Sequence, residues 1–240
     1  MELERQANAL NAAIQSDSMF KRHWTFHLLP ILSILQVTGH LISVYHLILL
    51  KPLPIVILIF LAERRTPQEK FFYYGLLASL GGDLCLMWRN MYIFQFGTLL
   101  FLLAHVFYLR AFIYDISEKN LRKLKKKRHI TLLAFITFIL TLLVFNLNEL
   151  WDKTPNLPLY LVYGIVLSGM AITACLRSNL DSSYWLVLAG ALCFGISDNT
   201  LAYFKFNGIT SEAAAAFIMA TYYTAQCLLW EGIRIRSCNK

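Results

Sequence analysis

Two aspartates lie inside apolar stretches that are long enough to span a membrane. Asp83 lies in the run 71–88, and Asp198 lies in the run 184–206. A carboxylate in the bilayer interior costs about 2.5 to 3.5 kcal/mol even on the lenient insertion scale, so an acid held there has a partner or a function. Two such acids could act as a proton donor and a proton acceptor. The alternative interpretation is a pair of acids that only hold helices together by hydrogen bonds.

Paired carboxyl groups can divide acid and base work when one is neutral and the other is ionised, as in inverting glycosidases. A medium of low dielectric constant favours the neutral form of one acid, and a nearby Lys51 ammonium would favour the ionised form of the other. The sequence leaves the assignment open. Asp198 lies between Ser197 and Asn199, and this local polar support favours it as the carboxylate.

Several other polar residues are candidates to bind a substrate or to support the acids. Helical rise places Lys51, Asp83 and Asp198 at one depth, about 9 Å from the outer ends of their predicted spans. The candidates are Lys51, His105, Asn199, Lys205, Tyr222, Tyr223 and Gln226. His105 stands alone, so a packing role is an equal alternative for it.

The sequence has no group of His, Cys, Asp and Glu residues at metal-ligand spacing, and we therefore expect neither a metal nor another cofactor.

The composition indicates an integral membrane protein. Hydrophobic residues make up 58% of the chain and charged residues only 15%, outside the range of soluble domains. Segment 1–25 is polar and lacks the apolar core of a cleavable signal peptide. The five cysteines have neither CxxC spacing nor a paired arrangement in loops, so they are interpreted as small core residues.

The apolar runs predict an all-α polytopic membrane protein with eight transmembrane helices. The predicted spans are 26–45, 46–62, 71–88, 93–114, 129–147, 158–176, 184–203 and 213–232. Pro52 and Pro54 are expected to kink the second span. The predicted organisation is a cytosolic segment 1–25, a catalytic transmembrane domain 26–232 and a cytosolic tail 233–240.

Lysine and arginine predict the orientation. With both termini in the cytosol, most of the 22 basic residues fall on the cytosolic side. The strongest contribution is KNLRKLKKKR at 119–128, interpreted as a topology signal that contacts anionic membrane lipids. Nucleic-acid binding is not expected of such a chain.

The two halves of the chain also resemble each other. Asp83 and Asp198 each lie in the third span of a half, and FLLAHVFY at 101–108 compares with FIMATYYT at 217–224 in the helices that follow. The pattern predicts a parallel four-plus-four repeat with a site between the halves.

Five motifs follow one another along the chain: KPLP at 51–54, SLGGDLCLM at 79–87, FGTLLFLLAHVFY at 96–108, GALCFGISDNTLAYFKF at 190–206 and IMATYYTAQCLL at 218–229. In this order they resemble the motifs of the YhhN-like lysoplasmalogenase family. The resemblance implies an eight-helix enzyme of the endoplasmic reticulum or a bacterial inner membrane. It implies cleavage of the vinyl ether of lysoplasmalogens to a fatty aldehyde and glycerophosphoethanolamine or glycerophosphocholine, with Asp83 and Asp198 as the essential acids. The polar N-terminal segment and the proline-free loop 207–212 depart from the family pattern, which puts the access route and headgroup preference in doubt.

Two other function classes fit the same residues. A proton- or cation-coupled transporter could also be built with one acid in each half of a repeat. A lipid-binding or scaffolding protein would use the aspartates as structural groups. The sequence does not indicate the oligomeric state.

Chelation of metals should leave aldehyde release unchanged, because two carboxyl groups suffice for acid catalysis. The measurement is aldehyde formed from lysoplasmenylethanolamine by purified protein with and without EDTA. Loss of activity in EDTA that one divalent ion restores would contradict this expectation.

Overall fold

The computed structural model describes residue 38, residues 51–88 and 90–116, residues 156–177, and residues 181–238. In these residues the chain is helical and contains no strand. The helices are α1 Leu53–Leu61, α2 Pro67–Leu86, α3 Met91–Ile113, α4 Leu157–Leu176, α5 Ser182–Phe206 and α6 Glu212–Cys238. The prediction of an all-α fold is confirmed for the described part of the chain.

Four of these helices, α3 to α6, are long and apolar enough to cross a membrane. The protein is therefore an integral membrane protein, and four predicted spans coincide with observed helices. Helix α2 is less apolar because it contains Glu69, Lys70 and Asp83. The predicted span 26–45, apart from residue 38, and the predicted span 129–147 and basic segment 119–128 lie outside the described residues. The count of eight spans and the four-plus-four repeat remain predictions.

The helices begin at residues suited to start them. Thr66 caps α2 in a capping box with Glu69: the Thr66 hydroxyl accepts from the Glu69 N–H at 3.2 Å, and Glu69 accepts from the Thr66 N–H at 2.9 Å. Asn90 caps α3, and Asp181 caps α5 by accepting from the Tyr184 N–H at 3.0 Å. The turns between predicted spans thus fix where each helix begins.

The structure corrects the prediction that two prolines kink the second span. Pro52 is the N-cap of α1, and Pro54 lies in its first turn. The missing N–H groups of proline cost nothing there, because the first turn of a helix has no intrahelical acceptors for them. The prolines therefore begin this helix and leave its remaining turns regular.

A largely buried cluster of two arginines and two aspartates joins one end of four helices. The Asp115 carboxylate lies 3.0 Å from Arg177 and 2.7 Å from Arg236, and Arg236 lies 2.7 Å from Asp181. Arg177 is fully buried and also donates to the Ser183 carbonyl at 3.0 Å. Burial lowers the pKa of Arg177 to about 10, against the opposing attraction of Asp115. The cluster holds together the ends of α3, α4 and α6 and the start of α5.

The cluster has two consequences for chain direction and length. Because Asp115 follows α3 and Arg177 follows α4, these two helices run in the same direction. Arg236 lies beyond the predicted end of the last span at 232, yet α6 continues to Cys238. The first residues of the range predicted as a C-terminal tail therefore belong to this helix. Arg236, which lies in that range, is paired and buried.

Glycines at two levels of α2, one of them next to Asp83, let this helix approach α3 closely. A Cβ atom on Gly75 would overlap the ring of Tyr108, and one on Gly82 would lie 2.5 Å from the ring of Phe101. Both rings belong to α3 and are buried. The missing side chains therefore set how near α3 lies to Asp83.

We expect Gly75→Ala to destabilise the protein. An alanine in a helix is more favourable than glycine by roughly 0.5–1 kcal/mol, but overpacking a filled core costs about 1–3 kcal/mol. Tyr108 cannot move aside freely, because its hydroxyl donates to Gln226 at 2.8 Å.

The measurement is thermal unfolding in detergent, with Gly195→Ala as the control. A Cβ on Gly195 meets no atom within 4 Å, so that variant should unfold at the wild-type temperature or above it. Equal unfolding temperatures for the two variants would contradict the packing argument.

Candidate functional site

Asp83 is buried on α2 between a tyrosine and a lysine. Only 1% of the Asp83 surface is exposed. The Tyr222 hydroxyl of α6 donates to its Oδ2 at 2.8 Å, and the Lys51 ammonium attracts it electrostatically. Tyr223, the next residue on α6, donates to the Lys51 carbonyl at 2.8 Å. Helix α6 thus holds both the carboxylate and the start of α1 that carries the lysine.

Asp198, on α5, has a different pair of neighbours. The Tyr163 hydroxyl of α4 donates to its Oδ2 at 2.5 Å. The His105 Nε2 of α3 lies 3.2 Å from the same oxygen. The Asp198 side chain is 12% exposed, whereas that of His105 is 1% exposed. This acid therefore lies nearer to solvent or lipid than its histidine does.

His105 is held by its ring and by one of its nitrogens. Nδ1 lies 2.5 Å from the Phe101 carbonyl one turn earlier on α3. The ring packs edge-on against Phe194, with centroids 4.7 Å apart, and lies 5.2 Å from the Tyr163 ring. Nε2 is buried and makes no hydrogen bond among the residues that the structure describes, and the Asp198 carboxylate is the polar group beside it. His105 is thus fixed in place with one nitrogen facing an acid.

The two aspartates belong to one polar group within the helices. Asp83 and Asp198 are close enough to interact electrostatically. We define the aspartate cluster by the members Lys51, Asp83, His105, Tyr163, Asp198 and Tyr222. The partners cross over between the helix pairs: α3, which follows Asp83, supplies a neighbour to Asp198, and α6, which follows Asp198, supplies a neighbour to Asp83.

A second polar group supports the cluster from one turn away. The Tyr108 hydroxyl donates to Gln226 Oε1 at 2.8 Å, and Gln226 Nε2 donates to the Ser79 hydroxyl at 3.2 Å. The Ser79 and Tyr108 hydroxyls are 3.2 Å apart, which closes the ring of three. All three side chains are buried. Ser79 lies one turn before Asp83 and Gln226 one turn after Tyr222, so this ring fixes α2, α3 and α6 relative to one another.

The sequence profile of the YhhN family matches residues 47–233. The chain belongs to the YhhN family. It is 33% identical over 156 residues to the lysoplasmalogenase TMEM86B of Sus scrofa and to that of Mus musculus, a match over 65% of this chain and 59% of each relative. It is 31% identical over 166 residues to the lysoplasmalogenase TMEM86A of Homo sapiens, over 68% of this chain and 65% of that protein. The chain thus spans about 59% of the length of the first two relatives. No solved structure matches the chain.

The region that matches the YhhN family contains every member of the aspartate cluster. Of the residues singled out from the sequence, Lys51, Asp83, His105, Asp198 and Tyr222 are brought together. Gln226 and Tyr223 lie behind them and bind other groups of the site. In the described part of this YhhN-family chain, no group of three His, Cys, Asp or Glu residues is arranged to hold a metal ion.

Two predicted residues have other contacts. Lys205 is exposed near the end of α5, and its ammonium lies over the Phe94 ring at 4.6 Å from the centroid. The Asn199 amide donates to the Gly195 carbonyl at 2.7 Å, and the Ser197 hydroxyl donates to the Ile218 carbonyl at 3.0 Å. Asp198 has two partners from other helices, Tyr163 on α4 and His105 on α3. The environment of this acid therefore includes groups that its sequence neighbours do not predict.

Tyr163 is not among the residues that the sequence singles out. It lies in the apolar sequence LPLYLVYGIVLSGM of α4, where tyrosines are common near membrane surfaces. A tyrosine of this kind is recognised as an acid's partner only when the rotation of its helix is known. The available signal was that α4 contains a second tyrosine, Tyr160, one turn earlier.

Proposed function

We propose that the protein is a lysoplasmalogenase, a hydrolase of the vinyl ether bond in 1-alkenyl-glycerophosphoethanolamine or 1-alkenyl-glycerophosphocholine. The products are a fatty aldehyde and the glycerophospho-base. Membership of the YhhN family and the lysoplasmalogenases among its relatives support the proposal. The observation that carries it is the approach of Asp83 and Asp198 within one polar group, each with its own hydroxyl donor.

The reaction needs one acid and one base. An acid protonates the outer alkene carbon, and the positive charge moves to the carbon attached to the ether oxygen, giving an oxocarbenium ion. An ionised carboxylate stabilises this cation and accepts a proton from the water that attacks it. Asp83 and Asp198 take these two roles in our proposal, and Tyr163 and Tyr222 orient them.

Water addition gives a hemiacetal, which must still lose the glycerol oxygen. The carboxyl that gained a proton from water returns it to that oxygen as the carbon–oxygen bond breaks. The group that gave the first proton recovers one from the hemiacetal hydroxyl as the aldehyde forms. One water is consumed, and both acids end in their starting states. The proposed cycle requires only protons and water, and no cofactor is part of the proposal.

The remaining candidates are proposed to contact the substrate. Lys205 and the tyrosines Tyr222 and Tyr223 are proposed contacts for the phosphate and glycerol hydroxyl, with Asn199 and Gln226 as supporting residues. The exposure of Lys205 suits a contact with a charged lipid headgroup at the membrane surface. The substrate and the surrounding lipids are the proposed partners.

The proposed location is the endoplasmic reticulum membrane with both termini in the cytosol. The start of α2 lies beside the end of α6, since Thr66 and Ser237 hydroxyls are 3.5 Å apart. Arg64 and Arg65 precede α2, and Arg234 lies in the last turns of α6, so arginines gather at this end. The positive-inside rule supports a cytosolic position for it. The proposed domains are the cytosolic segment 1–25, the eight-helix catalytic domain 26–232 and the cytosolic tail 233–240.

We expect Asp83→Asn and Asp198→Asn each to abolish hydrolysis while the protein stays folded. General acid or base catalysis is worth about 10²- to 10⁴-fold in rate, and asparagine can neither donate nor accept the required proton. Asparagine keeps an oxygen that can accept from Tyr222 or Tyr163. The measurement is aldehyde release in detergent, normalised to folded protein by size-exclusion chromatography.

Glu212→Gln is the matched control, because it removes an exposed carboxylate at the start of α6. If Asp83→Asn is unstable through the loss of a partner for Lys51, the double variant with Lys51→Met removes both charges and restores a folded protein for assay. Near-wild-type turnover by either single variant would contradict paired-acid catalysis. Transport of lysoplasmalogen into proteoliposomes without aldehyde release would identify a carrier instead.

Lys51→Met should lower the rate at neutral pH and move the acidic limb of the pH–rate profile to higher pH. The lysine charge favours the ionised form of the carboxylate it faces, so without it a higher pH is needed to ionise that group. The measurement is a pH series of kcat for wild type and variant.

Lys205→Met is the comparison for the lysine variant. It removes an equal charge at a distance from the aspartate cluster, and we expect a change in KM with the pH limbs unmoved. An unchanged profile in Lys51→Met, together with a loss of thermal stability, would make Lys51 a structural residue.

A further inference from the structure

The contact of His105 with a carbonyl fixes which of its nitrogens carries hydrogen. The Phe101 carbonyl can only accept, so the nitrogen 2.5 Å from it, Nδ1, must donate. In a neutral imidazole only one nitrogen bears a hydrogen. Nε2 of a neutral His105 is therefore bare and has a lone pair to offer.

That bare nitrogen faces an oxygen that also has lone pairs. His105 Nε2 and Asp198 Oδ2 are 3.2 Å apart, and within the described ranges no other group is hydrogen-bonded to Nε2. The nearby Tyr163 hydroxyl already donates to Oδ2. An ionised Asp198 beside a neutral His105 would thus place two acceptors against each other in a buried site, which is unfavourable.

We infer that His105 and Asp198 form a pair that holds one proton and delivers it to the substrate, and that Asp83 is the ionised partner. This inference rests on the proposed hydrolysis of a vinyl ether. It assigns the two aspartates opposite roles to those suggested by the sequence neighbours of Asp198.

The charges around both acids agree with this assignment. Each acid accepts a hydrogen bond from one tyrosine, so the tyrosines do not distinguish them. The difference is that Asp83 has the Lys51 ammonium beside it, which favours its ionised form, whereas Asp198 has His105 and the negative charge of Asp83. With one proton on the histidine–aspartate pair, the aspartate cluster is neutral overall. A neutral cluster is the state that a medium of low dielectric constant favours.

The protons then balance through the cycle. The pair gives its proton to the outer alkene carbon and becomes negative, while the positive charge passes to the oxocarbenium ion. Asp83 takes a proton from the attacking water and becomes neutral. On collapse of the hemiacetal, Asp83 gives that proton to the departing glycerol oxygen, and the pair takes the proton of the hemiacetal hydroxyl. His105 acts here as a positioning residue that keeps the proton on Asp198 until substrate binds.

A first experiment detects the proton without any reaction. The protein has six histidines, and ¹⁵N-histidine spectra of wild type and His105→Asn in detergent identify the His105 signals. At neutral pH, we expect the Nε2 signal to be displaced from the position of a bare nitrogen toward that of a protonated one. In Asp198→Ala it should return to the bare position. An Nε2 signal at the bare position in both proteins would overturn the inference.

A second experiment follows the pair during turnover. His105→Asn deletes Nε2 but keeps an N–H that can donate to the Phe101 carbonyl. We expect kcat to fall at least about tenfold and the alkaline limb of the pH–rate profile to move to lower pH, because Asp198 alone holds the proton less firmly. An alkaline limb that does not move in His105→Asn would overturn the inference.

Tyr163→Phe is the matched variant, and we expect it to move the alkaline limb of the pH–rate profile in the opposite direction. Without the tyrosine hydroxyl, the ionised form of Asp198 loses a hydrogen bond, so the proton is kept to higher pH and the alkaline limb moves upward. A shift to lower pH in Tyr163→Phe would contradict the assignment. If wild type releases no aldehyde, the proposed function fails, while the histidine spectra still decide whether the pair holds a proton.

Discussion

The structure depends on one electrostatic constraint, the need of a buried carboxylate for charge or hydrogen-bond partners. Each aspartate accepts a hydrogen bond from a tyrosine hydroxyl of another helix. Each also has one basic residue beside it, which is a lysine for Asp83 and a histidine for Asp198. These partners come from different helices, so they fix both the rotation of the helices and the distance between them. The stability of the bundle and the chemistry of its polar cluster therefore share the same contacts.

Helix packing supplies the distances at which those contacts form. Gly82 precedes Asp83 and allows Phe101 to approach α2, which brings the turn containing His105 toward the acids. The ion cluster around Asp115 and Arg177 fixes the opposite ends of the helices at a distance from this site. A buried ion pair that loses one partner costs about 3–5 kcal/mol, so this end resists rearrangement more than exposed charges would.

The sequence was sufficient to predict features that follow from composition and helical rise. The membrane-length helices α3 to α6 follow from apolar length, and the grouping of Lys51 with the two acids follows from spacing along the chain. The partner of Asp198 on α4 could not be predicted, because spacing gives depth but not helix rotation. The length of α6 was not evident either: Arg234 and Arg236 resemble the charges that follow a membrane span, yet the helix continues through both, and Arg236 is paired and buried.

The reciprocal contacts between the helix pairs bear on how the protein is made. Asp83 and the hydroxyl that it accepts from are 139 residues apart in the chain, and the ribosome releases the N-terminal part first. During synthesis, α2 and α3 leave the ribosome before Tyr222 has been translated, so Asp83 has no hydroxyl donor from α6 at that stage. The pairing of this acid is complete only when the last helix, α6, has packed against α2.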